Sequence, residues 1–224
     1  MCKQTGNSHC TVLGEDPEKW DKYAPLSRPN WYDKAWQTLI KVLEFESFGE
    51  IAKARTTLSV QESDDLREWF HVHAQNSGVW RMKTFQVSTH TTISELDPKK
   101  TFNDLLLEIL ERDNFRCRYC SWTVLPESRL RRLQKRLGND YFAIGSTNSK
   151  RSGYYFASRA SLDHVVPHSL GGRTTVENLV TVCMGCNYGK AGYTLKQIGI
   201  EDPFARQPLP LEFPLKFLIG QTGS

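Results

Sequence analysis

Cys183-Met184-Gly185-Cys186-Asn187 repeats the spacing of Cys117-Arg118-Tyr119-Cys120, with 62 residues between the pairs, and within that interval stands Asp163-His164-Val165-Val166-Pro167. Two residues between cysteines let both sulfurs reach one ion, so two pairs supply four thiolates to one zinc. Zinc ribbons usually separate the pairs by roughly 15–20 residues. The longer gap implies a sizeable insertion between knuckles. A redox Cys-x-x-Cys or buried thiols would explain one pair, but neither predicts two pairs flanking an Asp-His segment. A zinc closed by four ligands has no open position for chemistry. Asp163, His164, Asn178 and Asn187 therefore suit a different role, with oxygen ligands for a second, hard cation and a general base beside it.

The chain has 224 residues, 39% apolar and 24% charged, which is globular composition rather than that of a disordered segment. Nothing approaches the roughly 20 apolar residues of a membrane span, and the first residues, Met1 to Ser8, lack an apolar signal core. Four of the six cysteines sit in the paired spacing, which in a reducing compartment reads as metal binding. The expectation is a soluble, cytoplasmic protein with no membrane partner. Cys2 and Cys10 read as free thiols.

Charge is uneven. Residues 1–100 carry 13 basic and 14 acidic side chains, whereas residues 101–224 carry 16 and 11. Within 121–162, Arg129, Arg131, Arg132, Lys135, Arg136, Lys150, Arg151 and Arg159 interleave with Tyr141, Phe142, Tyr154, Tyr155 and Phe156. That mixture suits a polyanion-facing insertion. The competing reading is a solvated basic helix at 128–137 with Leu130, Leu133 and Leu137 as its apolar stripe.

Trp36, Leu39, Ile40 and Leu43 recur at helical spacing and predict a helix over 31–46. A second short helix fits 48–55. A third fits 63–75, with Leu66, Trp69, Phe70 and His73 on one face and Asn76-Ser77-Gly78 as its stop. Residues 80–92 read as one or two strands. Three helices followed by a strand pair would fit a winged-helix DNA reader, yet its third helix carries Glu62, Asp64, Asp65 and Glu68, the wrong sign for a phosphate surface. Residues 96–100 are the linker candidate. Thr101 and Asp104 then form a capping pattern for a helix that buries Phe102, Leu105, Leu106, Ile109 and Leu110 and ends near Asp113.

From Phe102 to Ile200 the chain resembles the HNH endonucleases, the zinc-knuckle branch of the ββα-metal (His-Me finger) nucleases. The resemblance rests on Arg112-Asp113-Asn114-Phe115-Arg116 before the first cysteine pair and on Asp163-His164 through Gly171-Gly172. It continues in Asn178-Leu179-Val180, in Cys183 to Asn187 and in Lys190. It implies a DNA phosphodiesterase leaving 5′-phosphate and 3′-hydroxyl ends. His164 would be the general base, and Asp163 and Asn187 the ligands of one catalytic Mg²⁺ or Mn²⁺. Asn178 would hold the loop that carries the base, and Cys117, Cys120, Cys183 and Cys186 the structural Zn²⁺. Restriction, phage and homing enzymes all use this motif. Double-stranded DNA is the expected partner.

Successive strand residues face opposite sides, so Asp163 and His164 require the strand to end, twist or bulge there. The expected order is a strand up to 163, a loop, a second strand over 178–182 and a helix from 185, on which Asn187 and Lys190 lie three apart and Lys190 can reach the same phosphate. In the tail, Leu209, Leu211, Phe213, Leu215 and Phe217 alternate while Pro208, Pro210 and Pro214 oppose a helix. This describes an extended arm over 201–224 lying on the body or on a second copy. The fold class is α+β: a mainly helical N-terminal domain over 1–100, then an HNH domain over 101–200 with its basic insertion. The alternative function is a non-catalytic zinc-stabilised module that binds DNA or, through the N-terminal domain or arm, a protein.

Overall fold

The computed structural model describes Cys10 and residues 12–88, 103–211 and 214–219. The linker candidate, Thr101, Phe102, Phe213, Cys2, His9 and His90 lie outside them.

Helix α1 (Tyr32–Ser47) buries the stripe its periodicity announces, Trp36, Leu39 and Leu43 with Ala35 and Val42. Helix α2 (Ile51–Thr57) follows. Ser59 then caps α3 (Val60–Glu68) by accepting from the Glu62 amide. The chain does not stop at Asn76-Ser77-Gly78. It runs through a π-helical turn, Trp69–Ala74, into α4 (Gln75–Phe85), which ends at Gln86 with φ 49°. The sequence reading of strands over 80–92 is therefore corrected: 80–85 is helix, 86–88 is not strand, and 89–92 lies outside the described residues. The wing of a winged helix is absent from 80–88. Gly78 is where the pattern misled. Its missing side chain serves a helix crossing, because a Cβ there would stand 1.8 Å from the Gly189 carbonyl oxygen. Close backbone approach outweighs the roughly 1 kcal/mol that a mid-helix glycine costs.

Helix α5 (Asn103–Arg112) leads to the first knuckle. Ile109 and Leu110 are fully buried, and Asn114 and Phe115 turn the chain with φ of 52° and 54°. Asp113 ties this end of α5 to the strand that leads into the second knuckle by accepting from the Thr181 amide at 2.8 Å.

Helix α6 (Glu127–Leu137) has the stripe Leu130, Leu133 and Leu137. One of its arginines is buried, and a second reaches inward to the same carboxylate. Arg129, 2% exposed, and Arg136 both reach the buried Glu46 of α1 at 2.6 Å. Arg159 pairs with Glu127 at 2.8 Å, and Arg151 bonds the Gly145 carbonyl and Asn148. The expectation of a polyanion surface is thus corrected for Arg129, which is buried; Arg136, Arg151 and Arg159 are partly exposed and held by intramolecular pairs. Arg131, Arg132, Lys135 and Lys150 remain on the surface.

Helix α7 (Gly153–Ser158), buried along its length, delivers strand β1 (Ala160–His164). Strand β2 (Leu179–Cys183) pairs with it antiparallel, Asp163 opposite Val180 and His164 opposite Leu179. Helix α8 (Met184–Lys190) leaves β2 directly, so the expected strand, loop, strand, helix order is present. After α9 (Leu195–Ile198), the arm lies on the body: Asn114 and Arg116 donate to the carbonyls of Leu209 and Pro210. It is not extended throughout, because α10 (Leu215–Ile219) is helical and buries Leu218. Proline bars a helix before itself, whereas Pro214 stands just ahead of the first turn, where a proline costs nothing.

One buried apolar cluster runs from Ala24 to Leu218. In it Trp122, beside the first knuckle, meets Tyr32, Trp36 and Phe70 of the N-terminal helices. Among the described residues, no helix is long and apolar enough to cross a membrane.

Candidate metal centre and active site

The four paired cysteines converge. Ligand atoms of Cys117, Cys120, Cys183 and Cys186 lie within 4.8 Å of one another, all buried and none in a disulfide. The Cys120 and Cys183 sulfurs are 3.7 Å apart. A tetrahedron of Zn–S bonds near 2.3 Å has edges of about 3.8 Å, so the sulfurs fit zinc. Burial pushes the Cys183 thiol up, and a cation is what allows four buried sulfurs to ionise together. The Cys186 amide donates to the Cys183 sulfur at 3.4 Å, and the Tyr32 hydroxyl of α1 lies 3.6 Å from that of Cys120.

The second cysteine pair fixes where α8 begins, and α8 lies against β1. Asn187 donates to the Ser161 hydroxyl at 2.8 Å. Ser161 and Asp163 are two apart on the strand and so share a face. One helical turn after Asn187, the fully buried Lys190 sets its ammonium 3.2 Å from each Asp163 oxygen and 2.7 Å from the His164 carbonyl oxygen. Tyr119, inside the first knuckle, donates to Asp163 at 2.8 Å. Lys190 thus faces inward and does not stand at a phosphate, because its whole side chain is covered.

Asp163, 6% exposed, feels opposed influences. Burial raises its carboxyl, and the Lys190 ammonium and the bonds from Tyr119 and Lys190 pull it back. Burial likewise lowers Lys190, against the attraction of Asp163.

His164 ends the regular strand and lies on the other side. Its Nε2 is 3.0 Å from the Thr174 hydroxyl, and its ring centroid is 5.5 Å from that of His168. Burial first, then His168 and Lys190, lower the imidazole below the ordinary histidine range. That shift favours the neutral ring, the state that can accept a proton. The strand has no bulge: it ends at His164, and just beyond it the Val165 amide donates to the Asn178 carbonyl. Asn178 then clamps the loop, accepting from the Val166 amide and donating to the carbonyls of Val166 and Arg173.

Asp163 and Asn187 therefore share one side of β1, His164 occupies the other, and Lys190 reaches the Asp163 carboxylate and the His164 main-chain carbonyl. A carboxylate and an amide suit a hard cation that keeps several waters. Such an ion would share Asp163 with the Lys190 ammonium. Sequence reading missed Tyr119 and Thr174 as neighbours of the site. Tyr119 stood in view between two cysteines, but spacing alone says nothing of its hydroxyl; Thr174 carried no cue.

A four-cysteine cluster able to hold zinc thus lies beside a two-stranded hairpin and the helix that follows it, with Asp-His at the end of the hairpin's first strand. Residues 156–200 match the HNH endonuclease family, a stretch that holds Asp163, His164, Asn178, Cys183, Cys186, Asn187 and Lys190. The match bears out the resemblance over that stretch and supports nuclease activity in general. Among curated proteins and solved structures, none matches the chain.

Proposed function

We propose that this chain is a divalent-metal-dependent endonuclease that hydrolyses DNA phosphodiester bonds to 5′-phosphate and 3′-hydroxyl ends. The observation that carries the reading is the half-buried imidazole of His164, held at the end of β1 with its Nε2 3.0 Å from the Thr174 hydroxyl and one residue after Asp163. His164 takes a proton from the attacking water as the water oxygen bonds to phosphorus. The bond from phosphorus to the 3′ oxygen breaks, and solvent protonates that oxygen. Asp163 and Asn187 would hold a Mg²⁺ or Mn²⁺ ion. When bound, such an ion supplies positive charge to the scissile phosphate and the departing oxygen. Asn178 keeps the loop after His164 in place, and the zinc site keeps α8 against β1.

Nicking of supercoiled plasmid by wild type and by His164→Ala, with Mg²⁺ or Mn²⁺, tests this. Cleavage should be lost in the variant, and equal cleavage ends the proposal. The engagement of both Asp163 oxygens by Tyr119 and Lys190 favours a second reading, a non-catalytic zinc-stabilised module that binds DNA or a protein. DNA retention without cleavage by wild type would support its DNA-binding form. A co-purifying protein partner without DNA retention would support its protein-binding form.

A further inference from the structure

We infer that Thr174 is the positioning residue of His164, fixing its ring and its tautomer; this rests on the nuclease reading above. The Thr174 hydroxyl is 3.0 Å from Nε2, and the residue is 3% exposed. Its place is set by the loop. Asn178 bonds the Val166 amide and carbonyl at one end and the Arg173 carbonyl at the other, so one side chain fastens both ends of the loop and brings Thr174 to His164. The loop closes this tightly only with glycine at 172. A Cβ there would meet the Val166 carbonyl oxygen at 1.8 Å and the Asn178 amide nitrogen at 2.9 Å.

A neutral imidazole carries its proton on either nitrogen, and the partner of one nitrogen selects the tautomer. A hydroxyl can donate or accept. If Thr174 donated to Nε2, it would occupy the electron pair of that nitrogen and leave the proton on Nδ1. If Thr174 accepts from Nε2–H, the electron pair is on Nδ1. When Nδ1 then takes a proton from water, Nε2–H keeps its acceptor, so no partner has to reverse during proton transfer. The accepting arrangement serves both charge states of a base, and the structure assigns it to Thr174. Thr174 touches no reacting atom in this scheme and acts through His164.

The test compares Thr174→Val, which keeps the shape and removes the oxygen, with Thr174→Ser, which keeps the oxygen. The ¹⁵N spectrum of the imidazoles, with the His164 resonances identified by their loss in His164→Ala, should place the neutral-ring proton on Nε2 in wild type and in Thr174→Ser. In Thr174→Val the two tautomers should mix. In parallel, kcat for plasmid nicking should fall about 10- to 100-fold in Thr174→Val, with KM and zinc content unchanged, and return towards wild type in Thr174→Ser. A wild-type ring protonated on Nδ1, or unaltered tautomer and kcat in Thr174→Val, overturns the assignment. The wild-type spectrum decides even if the valine variant fails to fold. If His164→Ala nicks as well as wild type, the nuclease reading fails, and the spectra still judge the Thr174 contact by itself.

Discussion

The molecule holds two candidate cation sites built on opposite principles. The sulfur site collects four like ligands from two knuckles in a buried pocket, where the neighbouring Tyr32 hydroxyl and Cys186 amide carry no charge. The oxygen site has one carboxylate already engaged by a protein ammonium and a tyrosine hydroxyl, and an amide resting on a serine. Filled by zinc, the first would have four ligands and no position left for chemistry. The second keeps its charge balanced by Lys190, so an entering ion meets a rival. The comparison separates what an ion does for stability from what it does for chemistry, and each of the following changes should act on one side of that division.

The largest effect belongs to the sulfur site. Chelation, or Cys183→Ser, should remove the metal and unfold the part of the chain around β1, β2 and α8, because structural zinc is worth on the order of 10 kcal/mol in small modules. Metal analysis with circular dichroism reads this, and a metal-free variant that keeps its cooperative unfolding transition would refute a structural role. Next is His164→Ala, which should lower the nicking rate by about 10²–10⁴-fold while leaving zinc content and melting temperature near wild type.

Lys190→Met should destabilise the fold by about 3–5 kcal/mol, since it leaves the Asp163 carboxylate buried without its counter-charge. Urea denaturation measures this, and a loss under about 1 kcal/mol would mean that the pair is not holding α8 to β1. The pH profile sharpens the same contrast. Because burial, His168 and Lys190 lower His164, more of it is neutral at a given acid pH than for an exposed histidine. The acid limb of nicking should therefore have its midpoint below about 6.5, and a midpoint above that value would contradict the burial of the base.

The smallest effect concerns the outer face of α6. Arg131, 66% exposed and paired with Glu127, and the exposed Arg132 contribute little to stability. Arg131→Gln with Arg132→Gln should change it by less than about 0.5 kcal/mol. If this face meets DNA, the salt dependence of binding should flatten by about two in log–log slope. An unchanged slope removes α6 from the DNA interface. Arg136 is left out because it holds Glu46.

Residues 160–190 were legible because each element has a local cause. Cysteine spacing fixes the knuckles, a following loop fixes the strand's end, and Asn178 and Asn187 were picked out by the resemblance to the HNH endonucleases. Residues 60–85 were not. Asn76-Ser77-Gly78 has the composition of a helix stop, and only the presence of Gly189 across the gap turns Gly78 into a helix crossing. The basic residues of 129–159 show the same limit. Charge is visible in sequence, but Glu46, more than 80 positions earlier, decides that Arg129 is a buried strut and no DNA contact.

From its sequence alone, this protein specified a four-sulfur cluster, a hairpin-helix motif and the candidate site residues Asp163, His164, Asn178 and Asn187, since these are legible in short motifs. The tertiary structure alone decided that Lys190 lies on Asp163, that Thr174 meets His164 and that the N-terminal helices share a core with the metal centre. Those contacts join positions far apart in the chain, and which distant groups meet is set by the packing of the whole chain.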